Sequence, residues 1–441
     1  MKDIPELRAR LQEMAAASPA AKPIDARARR KIRGRQWTLI AGATLSVVVL
    51  ATTGFALTRS ATRGPDDRAP VARERGAARG DCVWTIAVMG ALSGDYAPIG
   101  APIARAVDYA VAESRERGDL ACEVELRNED SQGNPNIAPS VARTLAGDSS
   151  VVACVCPHFS AETLASGRVF SSAGLLMTGP AHNLTIDEQG FETWFGVVAL
   201  DDAQGDLAGR MIAAAGADDV AVIHDGGEYS RSLAAAVQGA LGDRVGGTFS
   251  VTPGEDDHSQ VVEQVAAMEP GFVFFGGYAP EAGPLLRQLR DAGVTAPFLA
   301  GPGSRDPLLG RLAGAAADGA LAVCPCADPT KIASAADFVA GMRADHGGAD
   351  PGTFAVEAYD VTTLVVEALR AYEGDPADTH AVRAHVVRYF DETNGYDGLA
   401  RTYAWEDDGE PVAGGDAVWV YEWDQAEDGF VARGPVSDYL D

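Results

Sequence analysis

The chain has 441 residues, with 63 Asp and Glu against 36 Lys and Arg, for a formal charge of −27. At roughly 100–200 residues per domain this length allows two or three domains, and 46% hydrophobic with 7% aromatic content excludes a disordered chain. The charge is uneven: residues 1–36 carry 10 basic against 4 acidic groups, whereas 20 basic face 55 acidic from Cys82 on, so the bulk of the chain repels phosphate backbones and nucleic-acid binding is excluded.

Residues 37–57 read WTLIAGATLSVVVLATTGFAL, without a charge and long enough to span a bilayer at about 1.5 Å rise per residue. Arg27, Arg29, Arg30, Lys31, Arg33 and Arg35 precede it, and such flanks stay cytoplasmic. The apolar run exceeds the length usual for a cleaved signal. The expectation is a single transmembrane helix at 37–57, a basic cytoplasmic tail at 1–36 and an extracytoplasmic remainder. Residues 58–81, rich in Arg, Ala, Gly and Pro without apolar periodicity, read as a flexible linker.

Beyond the linker, short apolar runs alternate with helical patterns. Strands are predicted at 85–92, 122–130, 151–156 and 174–180, interleaved with helices at 101–116, 137–145 and 160–172. A second array follows, with strands at 220–225, 246–251, 271–277, 298–301 and 320–326 and helices at 204–215, 230–241, 259–268 and 282–292. Residues 354–372 form a strongly apolar amphipathic helix, and the C-terminal part from Arg401 alternates as β-structure. The class is α/β: two Rossmann-like lobes facing each other, with ligands expected at the carboxyl ends of the strands between them.

Five segments carry a resemblance: GALSGDYAPIG (90–100), AGLLMTGPAHN (173–183), ALDDAQGD (199–206), VAVIHDGGEYSRSLA (220–234) and FVFFGGYAPEAGPLLRQLRDAG (272–293). Together they resemble the type I periplasmic binding proteins, specifically the leucine/isoleucine/valine-binding group, over about 84–423. The resemblance implies two lobes joined by three hinge crossings near 194–198, 322–326 and 398–403. Lobe one is then 82–196 plus 325–400, and lobe two 197–324 plus 401–441. It also implies a substrate-binding protein of an ABC importer, with permease subunits as partners, a small polar ligand (amino acid, amide or related carboxylate) and no cofactor.

By the same resemblance the ligand carboxylate meets Ser160, Ala181 and Asn183 at two strand-to-helix turns. A helix N-terminus there offers free amides, although Ser160 also reads as an ordinary helix cap. Tyr229 and Tyr278 close from lobe two, and Tyr96 and Ile99 form the side-chain pocket. The chain departs from branched-chain binders in FLAGPGSRD (298–306), where Pro302 and Gly303 stand in place of the Glu that neutralises the ligand's ammonium. Asp201, Asp202 and Asp306 are candidate substitutes, or the ligand carries no ammonium. His158 and His182 fall close to the expected cleft.

All six cysteines follow residue 81, as expected of disulfides in an oxidising compartment. Cys82 and Cys122 begin neighbouring strands in this fold and are expected to pair. Cys154–Cys156 and Cys324–Cys326 are two C-x-C pairs, read either as disulfides linking their two segments or as a four-cysteine metal site. The sequence holds no G-x-S-x-G, H-E-x-x-H or P-loop motif, so no enzyme is expected. The alternative to transport is a membrane-anchored sensor, but a 36-residue tail is too short for a kinase and would need a signalling partner.

Overall fold

A computed structural model describes Ala9 and residues 82–406, 409–412 and 418–440. The expected anchor at 37–57, the linker at 58–81 and, Ala9 apart, the tail at 1–36 lie outside these residues. Among the described residues no helix is long and apolar enough to cross a membrane.

The first sheet is wholly parallel. It contains β1 (Val83–Gly90), β2 (Glu123–Asp130), β3 (Val151–Val155), β4 (Leu176–Gly179) and β5 (Trp194–Gly196) in the order β2-β1-β3-β4-β5. Helices α1 (Ala97–Arg117), α2 (Ala138–Gly147) and α3 (Ser160–Ser172) make the crossovers. Ile86 and Val88 pack into a core with Val107 and Val361, while Ala87 and Met89 face Leu145 and Phe170 on the other side. Burial on both faces explains the unbroken apolar run of β1, and the edge position of β2 explains its polar alternation. Helix α1 starts earlier than its periodicity suggests because Pro98, which reads as a breaker, sits in its first turn, where a missing N–H costs nothing.

The second array supplies α4 (Asp201–Ala214), β6 (Val220–His224), α5 (Glu228–Leu241), β7 (Val245–Ser250), α6 (Ser259–Met268), β8 (Phe272–Gly276), α7 (Ala279–Asp291), β9 (Phe298–Ala300), α8 (Pro307–Ala313) and β10 (Leu321–Cys324). The chain then builds α9 (Ala336–Asp345), α10 (Ala355–Ala371) and α11 (Thr379–Asp391), a short hairpin of β11 (Asn394–Asp397) and β12 (Thr402–Ala404), and finally β13 (Trp419–Asp424) and β14 (Gly429–Pro435). The last two strands join the second sheet antiparallel, giving β14-β13-β10-β9-β8-β6-β7. Helix α10 packs back on α1 and β3 of the first sheet, and α11 on β3. Buried Arg383 of α11 donates to the carbonyls of Ala146, Asp148 and Val151, satisfying the C-terminal end of α2 and the strand entry. Helices α8, α9 and α11 were not evident from periodicity: α8 spans only 7 residues, and α11 buries little beyond Val382, Val386 and Phe390 among charged neighbours.

Cys82 and Cys122 are bonded with a Cα separation of 5.0 Å, as their adjacent parallel strands suggest. The expectation for the other four is corrected. Each C-x-C closes on itself, with Cα separations of 5.2 Å for Cys154–Cys156 and 5.1 Å for Cys324–Cys326, so neither links the two segments. The reason is topological: β3 lies in the first sheet and β10 in the second. Each pair stands at the end of its own strand, within the roughly 4.4–6.8 Å range of a disulfide. With every thiol oxidised, the four-cysteine metal site does not form.

Candidate functional site

The strand-to-helix turns of the two sheets meet in one place. From the first sheet come Pro157–Ser160, leading from β3 into α3, and Pro180–His182 after β4. From the second come the turn after β6, the Gly277-Tyr278 turn after β8 and the loop after β9. A cavity of about 20 Å³ lies between them, lined by His158, Ser160 and Ala181 on one side and by Tyr229, Tyr278 and Gly303 on the other, with Ile99 and Phe354 at its edges. Five expected residues, Ser160, Ala181, Tyr229, Tyr278 and Ile99, are thus brought together.

Helix α3 begins without a side-chain cap, and Ser160, 3% exposed, makes no capping hydrogen bond. Its amides and hydroxyl at the cavity suit an anion, because the first amides of a helix lack intrahelical acceptors and carry partial positive charge. His158 stands beside them. Gly90 makes room for it, since a Cβ there would come within 2.0 Å of the His158 Nδ1. Both ring nitrogens of His158 are buried. Burial pushes its pKa down to about 4, against a smaller opposing pull from the Val155 backbone, so at neutral pH the ring is uncharged with one donor and one acceptor.

Tyr278 lies at the centre of an aromatic cluster drawn from both sheets. Its ring centroid is 5.1 Å from Tyr229, 5.0 Å from Tyr96 and 5.7 Å from Phe159. The Tyr229 hydroxyl accepts a hydrogen bond from the Gly303 amide at 3.2 Å. Burial holds the Tyr229 and Tyr278 hydroxyls well above their usual pKa, so both stay protonated. The missing Glu of the 298–306 segment now has a steric explanation. A Cβ on Gly303 would lie 2.7 Å from the Tyr278 ring, and one on Gly301 would lie 2.5 Å from the Tyr229 hydroxyl. The two tyrosines occupy the room a longer side chain would need.

Tyr96 lines a second cavity of about 140 Å³ that shares Phe159, Tyr229 and Tyr278 with the first and adds Asp225 and Glu228. Asn183 lines neither cavity. Its Oδ1 accepts from the Thr185 amide at 2.8 Å, and its Nδ2 donates to the Glu228 carbonyl at 2.9 Å. The candidate counter-charges also lie elsewhere. Asp201 is fully buried, with Oδ1 2.7 Å from His182 Nδ1; Asp202 accepts from the Ala203 amide; Asp306 caps α8 through the Leu308 amide. Asp202 and Asp306 are therefore consumed locally, because an acid at the start of a helix finds a free amide before any ligand arrives. Asp225 was not singled out from sequence, since HDGGEYS reads as an ordinary turn until β8 brings Tyr278 alongside.

The profile of the periplasmic binding protein family matches residues 83–429. The Leu/Ile/Val-binding protein homolog 1 of Brucella suis is 28% identical over 361 residues, covering 79% of this chain and 94% of that protein. An amino acid binding protein of Pseudomonas aeruginosa is 30% identical over 350 residues, covering 77% and 90%. Among solved structures, the branched-chain amino acid transporter substrate binding protein LivJ of Streptococcus pneumoniae, in complex with isoleucine, aligns with a TM-score of 0.71 at 20% identity, over 79% of this chain and 99% of that one. A solute binding protein of R. palustris in complex with benzoate aligns with a TM-score of 0.69 at 16% identity, over 80% and 96%. These two likenesses establish the shared fold.

Proposed function

The chain belongs to the periplasmic binding protein family, and from that premise we propose that it is the extracytoplasmic receptor of a branched-chain-amino-acid-type ABC importer. In this reading residues 37–57 anchor it with the N-terminus inside, and the lobes 82–196 plus 325–400 and 197–324 plus 401–441 close around a small carboxylate-bearing solute. Permease subunits receive the solute from the closed receptor. The observation that carries the reading is the convergence of the α3 N-terminus and His158 from one sheet with Tyr229 and Tyr278 from the other on one buried cavity. Neutral donors at a helix end suit a carboxylate, and the tyrosines give the far wall apolar faces with polar tips. A cavity of about 20 Å³ admits no solute without opening, which a two-lobed receptor does about its crossings.

The test is thermal unfolding of the purified protein with amino acids, short carboxylates, amides and nucleotides. A ligand that binds only the folded state adds roughly 2.7 kcal/mol at a hundred times its Kd. The melting temperature is expected to rise with a carboxylate or amide and to stay unchanged with nucleotides. A shift with nucleotides alone would end the proposal, and co-purification of the permease with the ligand-loaded protein would separate transport from sensing.

A further inference from the structure

A cavity of about 670 Å³ lies apart from the strand ends and shares no lining residue with the two described above. The three segments that carry the chain between the sheets all border it: Ala199 after β5, Ala327 to Ile332 after β10, and residues 399–404 between α11 and β13. Two buried acids of α10 hold its inner wall. Asp360 accepts from the amides of Leu399 and Ala400 at 2.7 and 2.8 Å and from the Tyr403 hydroxyl at 3.0 Å. Glu357, one turn earlier, accepts from the Ala327 amide at 2.7 Å. Arg401 donates to the Pro325 carbonyl and lies 3.4 Å from Glu357, and Trp405 Nε1 donates to the Gly196 carbonyl at 2.6 Å, so the three segments are tied to one another. Most of the lining is apolar. It includes half-buried Trp419 and Val412, which at 51% is one of only two large apolar side chains exposed among the described residues. The charges on the lining run against those of the molecule. Acids outnumber bases 55 to 20 from Cys82 on, yet here Lys331 and Arg401 meet a single acid, Asp328, whose Oδ1 accepts from the Thr330 amide and hydroxyl at 3.0 and 2.7 Å. Of the four lysines in the chain, Lys2, Lys22 and Lys31 lie in the tail, and the fourth is Lys331.

We propose that this cavity is a second ligand site, which takes a small carboxylic acid with an apolar body, the carboxylate meeting Lys331 and Arg401 and the body lying along Ile332, Leu399, Val412 and Trp419. The inference goes beyond the receptor reading above and is independent of what the strand-end cleft takes. A volume of about 670 Å³ falls in the range of roughly 300–1,000 Å³ usual for small-molecule sites, which are mostly apolar with a few placed polar groups. An ammonium and a guanidinium offer only donors, so the polar group of the occupant is an acceptor, and charge-assisted bonds to an anion are the stronger kind. Because Arg401 also engages Glu357 behind the wall, the surplus suits one negative charge, that of a carboxylate, rather than the two of a phosphate. Burying the apolar body covers Val412 and the open face of Trp419, which water otherwise wets.

The test is titration calorimetry of the full-length protein with octanoate as probe, and with 1-octanol and octylamine as controls for the apolar body and the sign of the charge. Octanoate is expected to bind at least about tenfold more tightly than either control. Lys331→Gln is expected to weaken octanoate about tenfold, and Lys331→Arg to hold it within about threefold of wild type. Lys331 is exposed, so both variants are expected to fold. Reductive methylation gives a second reading on the unaltered chain: octanoate slows modification of Lys331 and leaves that of Lys2, Lys22 and Lys31 unchanged. The bromine of 8-bromooctanoate quenches tryptophan fluorescence in wild type and much less in Trp419→Phe, which places the body of the probe beside β13. The site is overturned if octanoate fails to bind or binds no better than the controls, if Lys331→Gln retains wild-type affinity, if Lys331 gains no protection, or if Trp419→Phe is quenched as strongly as wild type. None of these outcomes touches the strand-end reading, which thermal unfolding tests separately.

Discussion

The side-chain amide of Asn183 donates to the Glu228 carbonyl at 2.9 Å, tying the turn after β4 of the first sheet to helix α5 of the second. A second tie lies further round the cleft, where Arg305 donates to Thr353 Oγ1 and Thr353 donates back to the Arg305 carbonyl, each at 2.9 Å. On the proposed two-lobe reading, both ties form only when the two sides approach, so they contribute to the stability of the approached state rather than to either side alone.

Asn183→Asp isolates the first tie. It keeps the oxygen that receives the Thr185 amide but sets a second oxygen against the Glu228 carbonyl. Loss of one hydrogen bond of about 1 kcal/mol is expected to weaken ligand binding about fivefold and to increase the radius of gyration of the ligand-free protein. Calorimetry and small-angle X-ray scattering read the two effects; wild-type values in both would show that the contact does not hold the cleft.

Glu162, in the first turn of α3, is fully buried, and burial pushes its pKa up to about 7 against weaker hydrogen-bonding pulls from Ser131 and the Phe159 backbone. The unfolded carboxyl titrates near 4.5. Between about pH 4.5 and 7 the folded chain keeps a proton that the unfolded chain has lost, so stability falls as pH rises through this window and then levels. Asp360, likewise raised to about 7, acts in the same direction. His158, lowered to about 4, acts oppositely: its contribution is present above about pH 6.5 and is lost as pH falls toward 4. Glu162→Gln is expected to stabilise the protein by about 1–3 kcal/mol at pH 8 and little at pH 4, leaving the His158 slope easier to see. Urea unfolding across pH 4–8 checks this, and an unchanged pH profile would show that Glu162 is not buried as an acid.

Gly310 of α8 lies against Trp423 of β13, so close that a Cβ would come 1.9 Å from the indole ring. Trp423 is 2% exposed and belongs to the core on one face of the second sheet. Gly310→Ala is expected to cost about 1–3 kcal/mol despite the better helix propensity of Ala, because the ring has no space to retreat. A melting temperature at or above wild type would mean that the helix can shift outward.

The three disulfides are expected to differ in their contribution. Cys82–Cys122 closes a separation of 40 residues, whereas each C-x-C closes a separation of 2. In the chain-entropy account the long bridge contributes about 4 kcal/mol and each short one under about 2 kcal/mol. Pairwise Cys→Ser replacement with denaturant titration measures the order; equal losses would place the effect in native packing instead.

Much of this molecule was legible in its linear pattern. Apolar runs such as TIAVMGAL and FVFFGG mark strands covered on both faces, and their alternation with helical stretches determines a parallel α/β architecture, because a strand buried twice cannot afford polar positions. Ser160, Ala181, Tyr229 and Tyr278 were named through the family resemblance, and the structure brings all four to one cavity at the strand ends.

Contacts between distant segments were decided only by the tertiary structure. The C-x-C pairs close on themselves because β3 and β10 lie in different sheets, a fact of topology that spacing does not carry. Asp306, which looked available in sequence, is held by the Leu308 amide, while Asp225, which looked like part of a turn, lines a cavity beside Tyr278, 53 residues further along the chain. The physical reason is that periodicity reports how a segment faces the core, whereas the charge and space around a side chain depend on what other segments bring to it.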